Sequence, residues 1–312
     1  MVSNTNKNIK LFKINDILLY IILILFIGYL LYPYIVSIHI SKNIFNINNI
    51  EGMENKTEKI EKDKETDIVS DKINSLNTIP RTIYQTWKSK DMPPEIKNVV
   101  DQLKKDNPEF THILFDDKDM RDFIDEYFDN EVVEAYDKLI PGAYRADLWR
   151  YCVLYKNGGI YMDIKIRPVN GFKFKKLIDT GKEYFTRDLE YSGSGIYNGL
   201  MICKAGNPIL KKAIDDVVKN VQNKFYGTSM LEPTGPLLMK KYFTEEEVKD
   251  LDLYLNVEYT LLRGGRYDIV HNIKHEGWDK PILEWDVSSY SKQKSLSPHY
   301  SVLWQQRGIY KA

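Results

Sequence analysis

Residues 145–167 read RADLWRYCVLYKNGGIYMDIKIR. Over Tyr144–Lys156, Leu148, Tyr151, Cys152 and Tyr155 recur at helical spacing, which predicts a strong amphipathic helix. Asn157-Gly158-Gly159 then predicts a tight turn suited to positive φ. Ile160–Met162 is a short apolar strand that delivers Asp163 at its end. Asp147 and Arg150 lie three apart, hence on one helical face. In isolation such a pair reads as a surface ion pair or a helix cap. Here the glycine turn packs the helix back on the strand and aims Asp147, Arg150 and Asp163 toward one cleft.

Outward from this segment, strands and helices alternate. Ile79–Trp87 (IPRTIYQTW) is β-prone and predicts a first strand. Pro93-Pro94 starts a helix that runs to about Asp106. Thr111–Phe115 reads as a second strand, with Asp116-Asp117 as the N-cap of the next helix. Two helical stretches run to about Leu139, and Pro141-Gly142 breaks the chain. Strands follow at Glu183–Arg187 and Ile196–Cys203, then a helix at Pro208–Gln222. The alternation predicts an α/β sandwich around a central sheet. In such sheets ligands collect at the carboxyl ends of strands, where Asp163 falls.

The 312 residues are 43% hydrophobic and 28% charged, a globular composition. Lys+Arg and Asp+Glu are both 44, and this balance argues against a polyanion-binding protein. Cys152 and Cys203, the two cysteines, exclude a disulfide scaffold or Cys-rich zinc module and read as buried free thiols. His271 and His275 have the i, i+4 spacing of a helical zinc pair, but Gly277 and the lack of a third ligand favour a surface loop. Tyr191–Ile196 reads as a flexible acceptor-side loop, and Gly264-Gly265 as a tight turn.

Residues 17–38, ILLYIILILFIGYLLYPYIVSI, contain no charge. A membrane-spanning helix needs ~20 apolar residues, whereas a cleaved signal peptide has an apolar region of ~7–15 followed by a cleavage site. The segment therefore reads as an uncleaved signal anchor. Lys7, Lys10 and Lys13 precede it and only Lys42 closely follows, so residues 1–16 are expected in the cytosol and the bulk of the chain on the other side. The expectation is a single-pass type II membrane protein with a lumenal, Golgi- or ER-like, or otherwise non-cytosolic domain. Residues 41–78 are polar and form a stem, with an N-glycosylation triplet at Asn55-Lys56-Thr57. Residues 79–312 then make one domain.

The central segment resembles the sugar-transferring domain of glycosyltransferase family 32, the DXD-motif group, and the related catalytic domains of large clostridial glucosylating toxins. Those carry Asp-x-x-Arg on a helix, then Gly-Gly-x-Tyr-x-Asp-x-Asp; this chain has Asp147-Leu-Trp-Arg150, then Gly158-Gly159-Ile-Tyr161-Met-Asp163-Ile-Lys165. Ile79–Trp87 is similar to the family's opening strand, Asn198-Gly199 and Asn207-Pro208 to its middle elements, Thr234-Gly235-Pro236 to its Gly-Pro turn, and His299–Trp304 to its closing segment.

The resemblance implies a GT-A-like fold, a nucleotide-sugar donor, and retaining transfer of a hexose or N-acetylhexosamine to a glycan, glycolipid or glycoprotein. It implies that Asp147 and Arg150 contact donor-sugar hydroxyls and that Asp163 lies beside the ribose and a divalent cation, Mn²⁺ or Mg²⁺. Tyr84, Gln85 and Trp87 surround the nucleoside, and Tyr161 and Trp304 join the donor-binding set. Lys165 replaces the second metal-binding Asp, and an ammonium cannot ligate a cation. Either Lys165 binds the diphosphate in the ion's place, or Asp163 and His299 hold a metal, or activity is lost and a carbohydrate-binding protein remains. A Mg²⁺-dependent nuclease would fit Asp163-Ile-Lys165 but leaves Asp147, Arg150 and the opening strand unexplained.

Overall fold

In the computed structural model the described residues are 78–188, 195–258, 266–273, 278–286 and 298–312, with Ile27, Leu31, Tyr32 and Val36. The expected tail, the expected span apart from those four residues, the expected stem up to residue 77, the glycosylation triplet, His275, Gly264-Gly265 and most of the Tyr191–Ile196 loop lie outside them. Among the described residues no helix is long and apolar enough to cross a membrane. The chain divides into two units, Met1–Asp71 and Lys72–Ala312, and the second is described below.

The unit opens with β1 (Thr82–Thr86), α1 (Pro94–Asp106), β2 (Thr111–Phe115), α2 (Asp117–Tyr127) and α3 (Asn130–Lys138). Then come α4 (Gly142–Asn157), β3 (Gly159–Met162), β4 (Arg167–Pro168), α5 (Lys175–Ile178), β5 (Tyr184–Arg187) and β6 (Ile196–Cys203). The rest is α6 (Pro208–Gln222), α7 (Pro236–Lys240), α8 (Glu245–Lys249), β7 (Leu253–Glu258), β8 (Arg266–Ile273), β9 (Trp278–Asp286) and α9 (Tyr300–Gln305). Local chemistry explains several boundaries. Pro94 occupies the first turn of α1. Asp116 caps α2 in a reciprocal capping box with Asp119. Asn207 caps α6 by accepting from the N–H groups of Ile209 and Leu210.

The strands form one mixed sheet in the order β2-β1-β3-β6-β5-β7-β8-β9-β4. β1 runs parallel to β2 and β3, while β6 is antiparallel to both β3 and β5. Side chains alternate across the sheet. The aligned row Ile83, Ile160, Ile202 and Tyr184 faces a core with Phe172, Phe174 and Leu177. The next row, Tyr84, Tyr161 and Met201, faces the opposite core, built from α2, α3, α4 and α6.

Helix α4 departs from the amphipathic expectation. Ala146 through Leu154 are all buried, Asp147 and Arg150 among them. The helix is wedged between the sheet and the surrounding helices, so no side of it is left for solvent, and its polar residues sit where an amphipathic helix would be dry. Cys152 and Cys203 are free and buried, as expected. His271 lies in β8, paired with Leu253 and Lys280, and not in a helix or loop.

Candidate active site

The glycine turn after α4 sets the position of everything that follows. Gly158 caps the helix at φ 67° and Gly159 has φ 103°. A Cβ on Gly159 would lie 2.8 Å from the carbonyl oxygen of Thr82, so only glycine lets β3 pack this closely on β1. β3 therefore emerges beside β1, and Asp163 leaves the sheet at the carboxyl ends of two parallel strands. Its N–H donates to the carbonyl oxygen of Gly199 at 2.8 Å, which brings β6 to the same place.

Tyr161 and Asp163 share a face, toward α4. The Tyr161 hydroxyl donates to Asp163 Oδ1 at 2.8 Å, and the Tyr197 hydroxyl donates to Oδ2 at 3.3 Å. Arg150 reaches out from α4 between two carboxylates, 3.4 Å from Asp163 Oδ1 and 3.3 Å from Asp147 Oδ1. Its guanidinium lies 4.3 Å above the Tyr161 ring, a cation–π contact. It also donates to the carbonyl of Ala146 at 3.2 Å and that of Asn198 at 3.0 Å. Asp147 accepts from Asn198 Nδ2 at 3.0 Å and from the Thr234 hydroxyl at 2.7 Å. The Tyr151 hydroxyl accepts from Asn198 and donates to the Thr234 carbonyl, which closes the network.

The cluster is graded in access. The side chain of Asp163 is 24% exposed, against 12% for Asp147 and 8% for Arg150. Burial pushes the Asp147 carboxyl up to about 6, while Arg150, Thr234 and Asn198 pull against it. Burial also works against the Arg150 charge, but Tyr161, Asp147 and Asp163 outweigh it and hold the guanidinium protonated. Burial raises the Tyr161 and Tyr151 hydroxyls well above the usual range, so both stay protonated donors.

The other expected residues are distributed around this centre. Gln85 is wholly buried; it donates to the Asp163 carbonyl at 3.5 Å and accepts from His112 Nε2 at 2.7 Å. Burial drops His112 to about 4, so the ring is neutral. Tyr84 is buried in the α4-side core, and Trp87 packs on Ile96, Val100 and Ile164 with its indole N–H buried and, among the described residues, unpartnered. Lys165 is half-buried in a turn closed by the Ile166 N–H on the Asp163 carbonyl, so strand alternation stops short of it. His299 contacts Ser301 and stacks on Tyr300, while Trp304 donates its N–H to the Tyr226 carbonyl at 2.7 Å. Asn198, Tyr151, Tyr197 and Thr234 had no assigned role in the sequence. The signal for Asn198 was a lone amide in the apolar run IYNGLMIC.

Among the described residues no three His, Cys, Asp or Glu side chains gather as a cation site. Asp163 is the one carboxylate at the motif, with a guanidinium at 3.4 Å and Lys165 two residues on. That donor set does not fit a cation held by protein side chains.

Residues 93–182 match a family described as "Glycosyltransferase sugar-binding region containing DXD motif". Inositol phosphoceramide mannosyltransferase 3 of Schizosaccharomyces pombe is 29% identical over 167 residues, 53% of this chain and 45% of that protein. Inositol phosphoceramide mannosyltransferase 2 of the same organism is 30% identical over 183 residues, 55% of this chain and 51% of that protein. The chain thus spans about half the length of these curated relatives. The solved structure of PaToxG Glycosyltransferase aligns with a TM-score of 0.42 at 18% identity, over 60% of this chain and 81% of its own. The Asp147–Lys165 segment that carries the resemblance falls within the residues that match this DXD-type sugar-binding region.

Proposed function

We propose that this chain is a glycosyltransferase that moves a hexose or N-acetylhexosamine, with retention, from a nucleotide-diphospho-sugar to a glycan, glycolipid or glycoprotein. The observation that carries this reading is the Asp147–Arg150–Asp163 cluster, buried behind a partly open Asp163, at the carboxyl ends of β1 and β3. The relatives, inositol phosphoceramide mannosyltransferases, put mannose first among donors to test and a ceramide glycolipid first among acceptors. The proposed setting is a type II anchor through residues 17–38, with a lumenal catalytic domain.

Transfer breaks the bond from the anomeric carbon to the diphosphate oxygen, which keeps the electron pair, and forms a bond from that carbon to the acceptor oxygen, whose proton passes to the departing diphosphate. Asp163, the most open carboxylate, accepts from donor hydroxyls, and Asp147 does so behind it. Their negative charge favours the oxocarbenium-like sugar. Arg150 lies between both carboxylates and holds them in register, and fixed groups of this kind lower the barrier because they need not reorganise. Trp87, whose buried indole N–H has no partner among the described residues, is the proposed hydrogen-bond donor to the nucleoside. The side chains at the motif do not fit the divalent cation that a DXD pattern would hold. Lys165 instead supplies positive charge at the second acidic position of the motif.

A panel of GDP- and UDP-sugars, with and without Mn²⁺, tests this. The full chain is expected to transfer sugar from one of them and to leak it slowly to water. Asp147→Ala and Arg150→Ala are expected to cut turnover at least ~100-fold. Tight donor binding with no hydrolysis would favour instead a carbohydrate-binding protein, the reading that Lys165 in the second acidic position supports.

A further inference from the structure

Asp147 has two carboxylate oxygens, and they are held from different parts of the fold. Oδ1 receives Asn198 and Arg150. Oδ2 receives the Thr234 hydroxyl at 2.7 Å, its one hydrogen bond among the described residues. Thr234 is 1% exposed and lies between α6 and α7, far from α4 in the chain. Its segment is itself pinned by buried donors. Tyr151 donates to the Thr234 carbonyl at 2.7 Å, Asn220 to the Pro233 carbonyl at 2.9 Å, and Tyr144 to the Met230 carbonyl at 2.6 Å. The approach is close: a Cβ on neighbouring Gly235 would sit 3.5 Å from Asp147 Oδ2.

We infer that Thr234 is a positioning residue for the transfer reaction: it fixes the carboxylate plane of Asp147 from the α6–α7 connection. This rests on the reading that Asp147 binds the donor sugar. A carboxylate held only through Oδ1 is free to swing about its Cβ–Cγ bond, whereas donors on both oxygens define its plane. The Thr234 bond also favours the ionised form of Asp147. The other groups facing Asp147 are Arg150, Tyr151 and Tyr144 from α4, and Tyr161 and Asp163 from the end of β3. None of these is altered by a change at Thr234, so the effect of that change can be read by itself.

The test uses the full chain and Thr234→Val, which keeps the shape and removes the hydroxyl, beside Thr234→Ser, which keeps the hydroxyl. A hydrogen bond to an ionised group is worth about one pH unit in the acid limb of the rate profile. Thr234→Val is expected to move that limb up by about one unit and to lower kcat/KM about tenfold on the acid side, with Thr234→Ser restoring the wild-type profile. Thr234→Ala reads the same loss if the valine variant does not fold. A profile that superimposes on wild type while Asp147→Ala is inactive overturns the positioning role and leaves the transferase reading intact. If Asp147→Ala behaves as wild type, the transferase reading of Asp147 fails instead. Melting temperatures give a readout free of turnover. Thr234→Val and Asp147→Asn are expected to be coupled, the more so as pH rises from 5 to 8, and additive values throughout that range overturn the contact's role.

Discussion

At the residue scale, charge decides two outcomes. The Asp147 carboxyl, pushed up to about 6 by burial, keeps its proton in the folded chain after an unfolded chain has lost it near pH 4. Between those values the native state binds more protons, so the contribution of this residue to stability falls as pH rises. Turnover should run the other way, because the ionised carboxylate is the form that accepts sugar hydroxyls. Relative to Asp147→Asn, the wild type is therefore expected to lose melting temperature between pH 4 and 6 while its transfer rate climbs. Melting and rate curves recorded over that range check this; parallel curves would refute it. Lys165 gives the second outcome. If its ammonium replaces the ion of the DXD pattern, transfer persists in EDTA. Lys165→Ala then loses ~2–4 kcal/mol of transition-state stabilisation, and Lys165→Asp makes activity depend on Mn²⁺. Complete loss of wild-type transfer in EDTA, with recovery in Mn²⁺, rejects the replacement.

At the element scale, the site depends on how closely β6 meets β3. A Cβ on Gly199 would fall 2.3 Å from the Tyr197 hydroxyl and 2.8 Å from Asp163 Oδ2. Gly199→Ala is therefore expected to displace both groups, cost ~1–3 kcal/mol of stability, and reduce transfer by more than tenfold while the chain still folds. Equal turnover with a lowered melting temperature would separate Asp163 from the chemistry. The elements that carry the site were legible because each has local punctuation: Pro94, the Asp116 capping box, Gly158-Gly159 and Asn207 mark boundaries that sequence reading places within a few residues. The character of α4 was not legible. Its apolar residues recur at helical spacing, but enclosure by neighbouring helices buries its polar residues too, and spacing along one helix carries no information about what packs on its other side. The same limit hid Thr234, which reaches Asp147 only through tertiary contact across 87 residues. Strands β7, β8 and β9 escaped as well. Pro281 interrupts the last of them, and the β8–β9 register shifts between Ile269 and Val270.

At the scale of the whole molecule, the two cores and the site all lie within Lys72–Ala312, the unit whose sheet is described from β1 onward. The cluster of Asp147, Arg150, Tyr161 and Asp163 draws its contacts from α4, β3, β6 and the α6–α7 connection. None of these lies before residue 78. On the proposed anchor reading, the apolar run at residues 17–38 and the polar stretch after it serve location and reach, and donor recognition is expected to need neither. Removing residues 1–40 should then leave a protein that stays in solution without detergent and binds its nucleotide sugar with unchanged affinity. In cells, a tag at residue 1 should meet cytosolic protease while one after Ala312 is protected, because Lys7, Lys10 and Lys13 are expected to keep the tail on the cytosolic side. Each half of the reading has its own failure. Loss of donor affinity on truncation would mean that the N-terminal segment takes part in the site, and the reversed protease pattern would put the catalytic domain in the cytosol with the same fold and a different set of acceptors.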